Sequence, residues 1–169
     1  MLALPSATER TLLAAPSGED ERRYRELLLA PQVNRWLRPP PLVPLMDPDP
    51  GLWLARDISH WRQHDFGPWM LTGRSSQRFL GRVGLSHVTF DGEAVVELSW
   101  AIMPEYWGQG LATEVARAAL AAAEALGFEK VLAYTVASNR ASRRVVEKLG
   151  LRPLGEVKRA GLAHLLFEL

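Results

Sequence analysis

The stretch Pro104-Glu-Tyr-Trp-Gly-Gln-Gly-Leu-Ala-Thr113 decides how this chain folds, because it joins two regular elements through a turn with few side chains. It follows a strand-like run from Val95 to Met103 and opens a helix-like run that reaches Leu126. Gly108 and Gly110 leave the turn bare, and the first N–H groups of a helix have no partner inside it. Together with the helix dipole, these groups predict a site for an anion such as a phosphate or pyrophosphate.

Composition is that of an ordinary globular protein. The chain has 169 residues, and its basic and acidic residues nearly balance at a net charge of +1. We therefore expect one domain over residues 1–169 with no nucleic-acid or membrane partner, and a homodimer stays open. The sequence has no cysteine, which excludes disulfides and thiolate metal sites and favours a cytoplasmic location. Met1 to Pro5 lacks the length and the basic start of a signal peptide.

The pattern along the chain predicts short strands and helices in mixed order. We expect strands near residues 11–15, 68–72, 78–88, 94–101, 131–136 and 163–169, and helices over residues 17–29, 52–64, 109–126 and 139–149. The proline-rich segment from Pro31 to Pro50 predicts a loop. Asp91-Gly92 predicts a hairpin turn, and Gly81 with Gly84 predicts a bend or bulge. The mixed order indicates an α/β or α+β domain with one mixed sheet.

Two common phosphate-binding loops fit the turn poorly. A Walker loop needs a lysine after its last glycine, but Gly110 is followed by Leu111. A dinucleotide loop needs a third glycine where this chain has Thr113. It also needs an acid after the next strand, which ends in Tyr134-Thr135-Val136. A plain tight turn before a helix, with no ligand, is the simpler alternative.

A third loop matches better. Trp107-Gly108-Gln109-Gly110-Leu111-Ala112 resembles the acetyl-CoA loop of the GNAT superfamily of N-acetyltransferases, Gln/Arg-x-x-Gly-x-Gly/Ala, with tryptophan replacing the usual first residue. The longer run from Pro104 is typical of the branch with the RimJ and RimL ribosomal-protein N-acetyltransferases. Asn139-Arg140-Ala141-Ser142 and Glu147-Lys148-Leu149-Gly150-Leu151 resemble the family's next motif, and Thr8 to Leu13 is similar to that branch's start. The resemblance implies a GNAT-like fold, a mostly antiparallel sheet with a splayed parallel strand pair and flanking helices.

The resemblance implies acetyl-CoA as co-substrate, held in the gap between two splayed strands. Its pantetheine arm would bond to exposed backbone near Ile102 and Met103 and to Asn139, and its pyrophosphate would rest on the N–H groups of the loop. The implied cofactor-binding residues are Ile102, Met103, Trp107, Gly108, Gln109, Gly110, Leu111, Ala112, Thr113, Asn139 and Ser142.

The resemblance also implies acetyl transfer to a primary amine, either a protein N-terminal amine or a small-molecule amine. Glu97 resembles a glutamate that many relatives carry, and it is the candidate base, acting directly or through a water. A glutamate on a solvated sheet face is the alternative. Many relatives protonate the CoA thiolate with a tyrosine, but the matching residue here is Val146. Ser142 is the nearest substitute, unless it only caps its helix, and the amide near Met103 is expected to polarise the thioester carbonyl.

Several residues keep two interpretations. The basic residues Arg143, Arg144 and Lys148 either touch the outer phosphate of CoA or form a solvated helix face. The tryptophans around the proline-rich segment either line the acceptor pocket or pack the core: Trp36, Trp53, Trp61 and Trp69. The histidines lack metal-ligand spacing, so no metal is expected: His60, His64, His87 and His164. The alternative function is an acyl-CoA-binding module without catalysis.

Overall fold

The computed structural model describes residues 4–47 and 49–169. Met1–Ala3, on which part of the signal-peptide prediction rests, and Pro48 lie outside the described residues. Within these ranges the strands are β1 Thr11–Ala14, β2 Pro68–Gly73, β3 Phe79–Phe90, β4 Glu93–Ile102, β5 Val131–Thr135, β6 Arg152–Arg159 and β7 Leu162–Glu168. The α-helices are α1 Glu21–Leu29, α2 Pro31–Leu37, α3 Asp49–His64, α4 Leu111–Ala125 and α5 Arg140–Leu149, and short 3₁₀ turns cover Gly18–Asp20 and Pro104–Tyr106.

The described strands form one mixed sheet in the order β1-β2-β3-β4-β5-β7-β6. β4 and β5 are parallel, and the other neighbouring pairs are antiparallel. The parallel pairing joins Val96 to Val131 and Glu97 to Leu132, after which β4 continues to Ile102 and β5 ends at Thr135. The two strands therefore separate beyond Glu97, which confirms the predicted fold class with its splayed parallel pair.

Helices cover both faces of the sheet, because alternate side chains of the central strands are apolar on each side. Leu71, Val83 and Leu98 pack into the core formed with α4. Met70 and Ala101 pack on the opposite face, in the core formed with α1, α2 and α3. The period of two along β4 places Glu97 on the same face as Ala101, away from α4.

The proline-rich segment differs from the predicted continuous loop. Pro31 begins α2, because a proline suits the first turn of a helix, where its missing N–H is not needed. Pro50 likewise lies in the first turn of α3, which begins before the predicted Leu52. The Asn34 side chain holds the intervening chain by two hydrogen bonds with the backbone of Leu45, at 2.8 and 2.9 Å. The loop prediction was thus wrong for residues 31–37 and 49–50.

Gly81 marks the predicted bulge. The register between β2 and β3 shifts between Leu71 and Thr72, opposite Gly81. A Cβ on Gly81, whose φ is +146°, would lie 2.3 Å from the carbonyl oxygen of Ala101, so only glycine fits this position. The predicted hairpin is confirmed as well, since Asp91 and Gly92 both have positive φ, 50° and 82°.

Candidate active site

Two cavities meet where β4 and β5 separate. The loop cavity, of about 280 Å³, lies beside the start of α4, and the Glu97 cavity, of about 600 Å³, lies over the sheet face that carries Glu97. The residues that line both cavities are Trp36, Leu37, Trp100, Ala101, Asn139 and Ser142. The two cavities therefore adjoin at these six residues, beside the splayed strands.

The start of α4 presents unpaired donors to the loop cavity. Gly110 is the N-cap residue with φ +78°, and no side chain caps the helix; Gly108 also has positive φ, at +76°. The first N–H to close a helical bond is that of Glu114, on the carbonyl of Gly110 at 3.0 Å. The N–H groups of residues 111–113 thus have no acceptor inside the helix, and the helix dipole adds partial positive charge there.

Arg10 and Glu114 fix this loop in place. The Arg10 guanidinium donates to the carbonyl oxygen of Gln109 at 2.8 Å and to a carboxylate oxygen of Glu114 at 2.6 Å. The other carboxylate oxygen accepts from the Arg10 N–H and from the Thr8 hydroxyl. Burial raises the pKa of Glu114, but these hydrogen bonds outweigh it and lower the pKa below its ordinary value. An ionised Glu114 therefore anchors the loop at neutral pH.

Most of the predicted cofactor-binding residues line the loop cavity: Ile102, Trp107, Gly108, Gly110, Leu111, Ala112, Thr113, Asn139 and Ser142. Met103 and Gln109 do not line it. The Met103 N–H donates to the carbonyl of Leu80 at 2.9 Å, so this amide is already used and cannot serve the predicted polarising role. Because N–H groups alternate in direction along an antiparallel strand, those of Trp100 and Ile102 point toward β5 instead.

Asn139 and Ser142 stand at the junction of the two cavities. The Asn139 Oδ1 accepts from the Ser142 N–H at 3.2 Å and caps α5. Within residues 4–47 and 49–169, neither the Asn139 NH₂ group nor the Ser142 hydroxyl makes a hydrogen bond, so both are free for a ligand. The Ser142 main chain, rather than its hydroxyl, takes part in the cap. Val146, the position for which the resemblance implied a tyrosine, is buried in the main core.

Glu97 is half-buried in its cavity and accepts a hydrogen bond from the Tyr134 hydroxyl at 2.9 Å. Burial raises the pKa of Glu97, and the Tyr134 hydrogen bond and the charge of Arg159 only partly oppose this. The Arg159 guanidinium lies 3.8 Å from the centre of the Tyr134 ring. A carboxyl with a raised pKa in a cavity can accept a proton near neutral pH. The sequence predicted a role for Glu97 but none for Tyr134 and Arg159, which lie much later in the chain, on β5 and β6.

A buried ion pair forms one wall of the Glu97 cavity. The Arg82 guanidinium donates to both carboxylate oxygens of Asp57, at 2.5 and 2.9 Å, and the Tyr24 hydroxyl donates to Asp57 at 2.6 Å. Burial raises the pKa of Asp57, but Arg82 and these hydrogen bonds outweigh it and hold the pKa below its ordinary value. Sequence reasoning missed this cluster; its local signal was one charged residue, Arg82, within the apolar first half of β3.

Three of the four histidines lie together, which their spacing did not predict. Ring centres are 4.6 Å apart for His60 and His64 and for His64 and His87. His60 Nε2 accepts the His87 backbone N–H at 2.9 Å, so Nδ1 carries the proton and donates to the Phe66 carbonyl at 2.8 Å. Among the described residues, no group of three or more histidine, aspartate or glutamate side chains is arranged to hold a metal ion.

The tryptophans and the basic residues of α5, which each had two interpretations, do not all lie in the same surroundings. Trp36 and Trp53 line the Glu97 cavity, whereas Trp69 is 2% exposed and packs in the core, where the partly buried Trp61 contacts it edge-on. The basic residues of α5 also divide, since Arg144 and Lys148 line the loop cavity and Arg143 does not. No helix in residues 4–47 and 49–169 has the length and apolar character needed to cross a membrane.

Comparison with known proteins identifies the kind of fold that surrounds these cavities. The family model described as an acetyltransferase (GNAT) domain matches residues 10–152. The protein YkkB of Bacillus subtilis (strain 168), described as uncharacterized, is 32% identical over 103 residues, which are 57% of this chain and 60% of YkkB. The chain thus covers less than two thirds of this curated relative's length.

Solved structures agree with this over nearly the full chain. An acetyltransferase from Agrobacterium tumefaciens str. C58 has a TM-score of 0.83 at 23% identity, covering 100% of this chain and 96% of that one. RimJ of Mycobacterium smegmatis, in complex with CoA-disulfide, has a TM-score of 0.73 at 19% identity, with 94% and 81% covered. Spermidine N-acetyltransferase of Vibrio cholerae, in complex with CoA and spermine, has a TM-score of 0.74 at 16% identity, with 94% of each chain covered. At these identities the likeness is one of fold.

Proposed function

This chain belongs to the GNAT acetyltransferase family, and we propose that it transfers an acetyl group from acetyl-CoA to a primary amine. The observation that carries the proposal is the meeting of two cavities at the splayed strands. One cavity presents free helix N–H groups, and the other presents a half-buried carboxyl whose pKa is raised. A protein N-terminal amine and a small-molecule amine are both candidate acceptors. The single-domain extent, the cytoplasmic location and the homodimer stay predictions.

The loop cavity suits the pyrophosphate and pantetheine of CoA. The unpaired N–H groups of residues 111–113 are donors for an anion, and Arg144 and Lys148 add positive charge on the same cavity wall. The N–H of Trp100 and the free NH₂ of Asn139 are donors for the amide groups of an extended arm. When bound, acetyl-CoA would supply an activated acetyl group as a thioester.

The Glu97 cavity suits an amine. An amine must be neutral to attack a carbonyl carbon, and the Glu97 carboxylate is placed to take the proton that the nitrogen loses, directly or through a water. The Tyr134 hydroxyl donates to one carboxylate oxygen of Glu97, and the other has no hydrogen-bond partner among the described residues. The Ser142 hydroxyl lines both cavities, and in this proposal it passes a proton to the departing thiolate. It takes up in exchange the proton that Glu97 received from the amine, directly or through a water, so that both side chains regain their starting charge.

The base is tested by comparing Glu97→Gln with Glu93→Gln. Both residues lie on β4, but Glu93 is exposed at the strand end and lines neither cavity. Loss of a general base typically lowers the rate by roughly 10²- to 10⁴-fold, so kcat/KM for amine-dependent CoA release should fall in that range for Glu97→Gln. Glu93→Gln should retain wild-type turnover.

The same variants separate catalysis from simple binding. Acetyl-CoA should raise the unfolding temperature of wild type and of both variants, because a ligand that binds only the folded state stabilises it. Equal turnover by Glu97→Gln and wild type would refute the assignment of the base. Binding of acetyl-CoA with no turnover of any amine would favour the alternative function, an acyl-CoA-binding module. No thermal shift with acetyl-CoA would refute the use of this co-substrate.

A further inference from the structure

The Glu97 cavity has a positive lining. Four arginines line it against two carboxylates: Arg38, Arg56, Arg82 and Arg159 against Asp57 and Glu97. The buried Arg82–Asp57 pair is internally neutral, which leaves Arg38, Arg56 and Arg159 against the single carboxyl of Glu97. Burial lowers the pKa of His60 and His87, so these lining histidines add no charge at neutral pH. The excess charge therefore comes from Arg38, Arg56 and Arg159.

Arg159 is the arginine best placed to bind a ligand. Arg38 and Arg159 make no ion pair within residues 4–47 and 49–169, whereas Arg56 lies 3.6 Å from the Asp57 carboxylate. Arg159 differs from Arg38 in that an aromatic ring holds it. Its guanidinium is half-buried and stacks on the Tyr134 ring at 3.8 Å. A stacked guanidinium is held flat and loses little freedom when it binds a planar anion through two N–H groups.

Tyr134 connects this arginine to the candidate base. Its ring contacts Arg159, and its hydroxyl donates to Glu97 at 2.9 Å. A ligand nitrogen at Glu97 and a ligand anion at Arg159 would therefore be separated by about the length of one tyrosine side chain. A small molecule or the first residues of a peptide can span that distance.

We propose that the acceptor is a primary amine that also carries a carboxylate, with the amine at Glu97 and the carboxylate at Arg159. This rests on the proposed acetyl transfer and narrows its substrate class. The carboxylate belongs either to a free amino acid or to an acidic residue near the N-terminus of a peptide. A polyamine is disfavoured, because each further ammonium group would meet the arginines of the lining.

The test measures kcat/KM for acetyl-CoA-dependent CoA release with matched acceptors. One arm compares 4-aminobutyrate, 5-aminopentanoate and 6-aminohexanoate with the alkylamines and diamines of the same length. The other arm compares short peptides that have glutamate, glutamine or lysine as their second residue. A charge-assisted bidentate contact predicts a preference for the carboxylate of about 10- to 100-fold over the neutral analogue. The two arms distinguish the free amino acid from the peptide.

Substitutions of Arg159 test whether this residue causes the preference for an acceptor that carries a carboxylate. Arg159→Gln should abolish it, Arg159→Glu should reverse it in favour of the diamine, and Arg159→Lys should retain part of it. Lys158→Gln is the matched control, because Lys158 is the neighbouring exposed cation on β6 and lines neither cavity. It should keep the wild-type preference. Thermal unfolding with and without acetyl-CoA verifies that each variant is folded and binds the co-substrate.

The outcomes separate the two proposals. Equal turnover of all acceptors, or a preference for the diamine, overturns the carboxylate inference and leaves acetyl transfer intact. An unchanged preference in both Arg159→Gln and Arg159→Glu overturns the role of Arg159. If acetyl-CoA binds but no acceptor of either arm is turned over, the proposed reaction fails and the inference fails with it.

Discussion

Replacing Asp57 by asparagine removes a charge and almost keeps the shape of the side chain, and it should destabilise the protein strongly. Asp57 is 1% exposed and Arg82 is 4% exposed, and two hydrogen bonds of 2.5 and 2.9 Å join them. Asp57→Asn keeps the size of the side chain, and its amide oxygen can still accept the Tyr24 hydroxyl. What it removes is the charge that compensates Arg82 at a position where both side chains are almost fully buried.

The expected loss follows from that burial. Removing one partner of a buried ion pair costs about 3–5 kcal/mol, because the remaining charge is left without compensation. For a domain of this size, 1 kcal/mol corresponds to about 2–4 °C in Tm, so Asp57→Asn should lower Tm by roughly 6–20 °C. The pKa of Asp57 is lowered in the fold, so the pair stabilises the protein above the ordinary aspartate pKa near 4. That contribution is lost as the pH falls below this value.

Urea unfolding at pH 7 measures the free-energy difference. Asp47→Asn is the matched control, because Asp47 pairs with Arg25 while both side chains are about half exposed; its cost should stay within about 1 kcal/mol. Asp57→Leu combined with Arg82→Met removes both charges and should recover part of the loss. A cost below about 1 kcal/mol for Asp57→Asn would show that the buried charge of Arg82 is compensated elsewhere, and the reasoning would be wrong.

Two further predictions concern the loop and the histidines. Gly110→Ala should cost about 1–2 kcal/mol, because its φ of +78° is unfavourable for a side chain, and should weaken acetyl-CoA binding. Gly18→Ala, at a glycine with open space and no positive φ, should be near neutral in the same urea titration. Burial lowers the pKa of His60, so the unfolded chain takes up its proton first and stability should fall as the pH decreases below about 6.5. Unfolding free energies at pH 7.5 and 5.5 should therefore differ more in wild type than in His60→Gln, and equal differences would contradict this.

Local sequence patterns were sufficient to predict the turn and the helix ends beside the loop cavity. The glycines at positions 108 and 110, the strand before them and the helix after them are adjacent in sequence, so their joint geometry follows from short-range rules. The Asn139 cap and the Gly150 stop of α5 were predictable for the same reason. The structure confirms these elements within one or two residues.

Other features were missed or wrongly assigned from the sequence. The polar strand β6 has no strong period of its own, and it forms because β7 pairs with it. The helix α2 was predicted as a loop because its segment is rich in proline, yet a proline also suits the first turn of a helix. The Met103 N–H is bonded to the Leu80 carbonyl, so the polarising amide predicted near Met103 is not that of Met103 itself. The direction of each N–H depends on the register with β3, which the sequence does not show.

The sequence alone was enough for the family resemblance, the glycine turn before α4 and the position of Glu97 in mid-strand, since each of these is a local pattern. Only the tertiary structure brought Tyr134 and Arg159 to Glu97 and paired Asp57 with Arg82, across 37, 62 and 25 positions of the chain. The physical reason is that a side chain's neighbours in a sheet depend on strand order and register. The proposed donor site can thus be recognised in one turn, whereas the proposed acceptor site is assembled from several strands and helices.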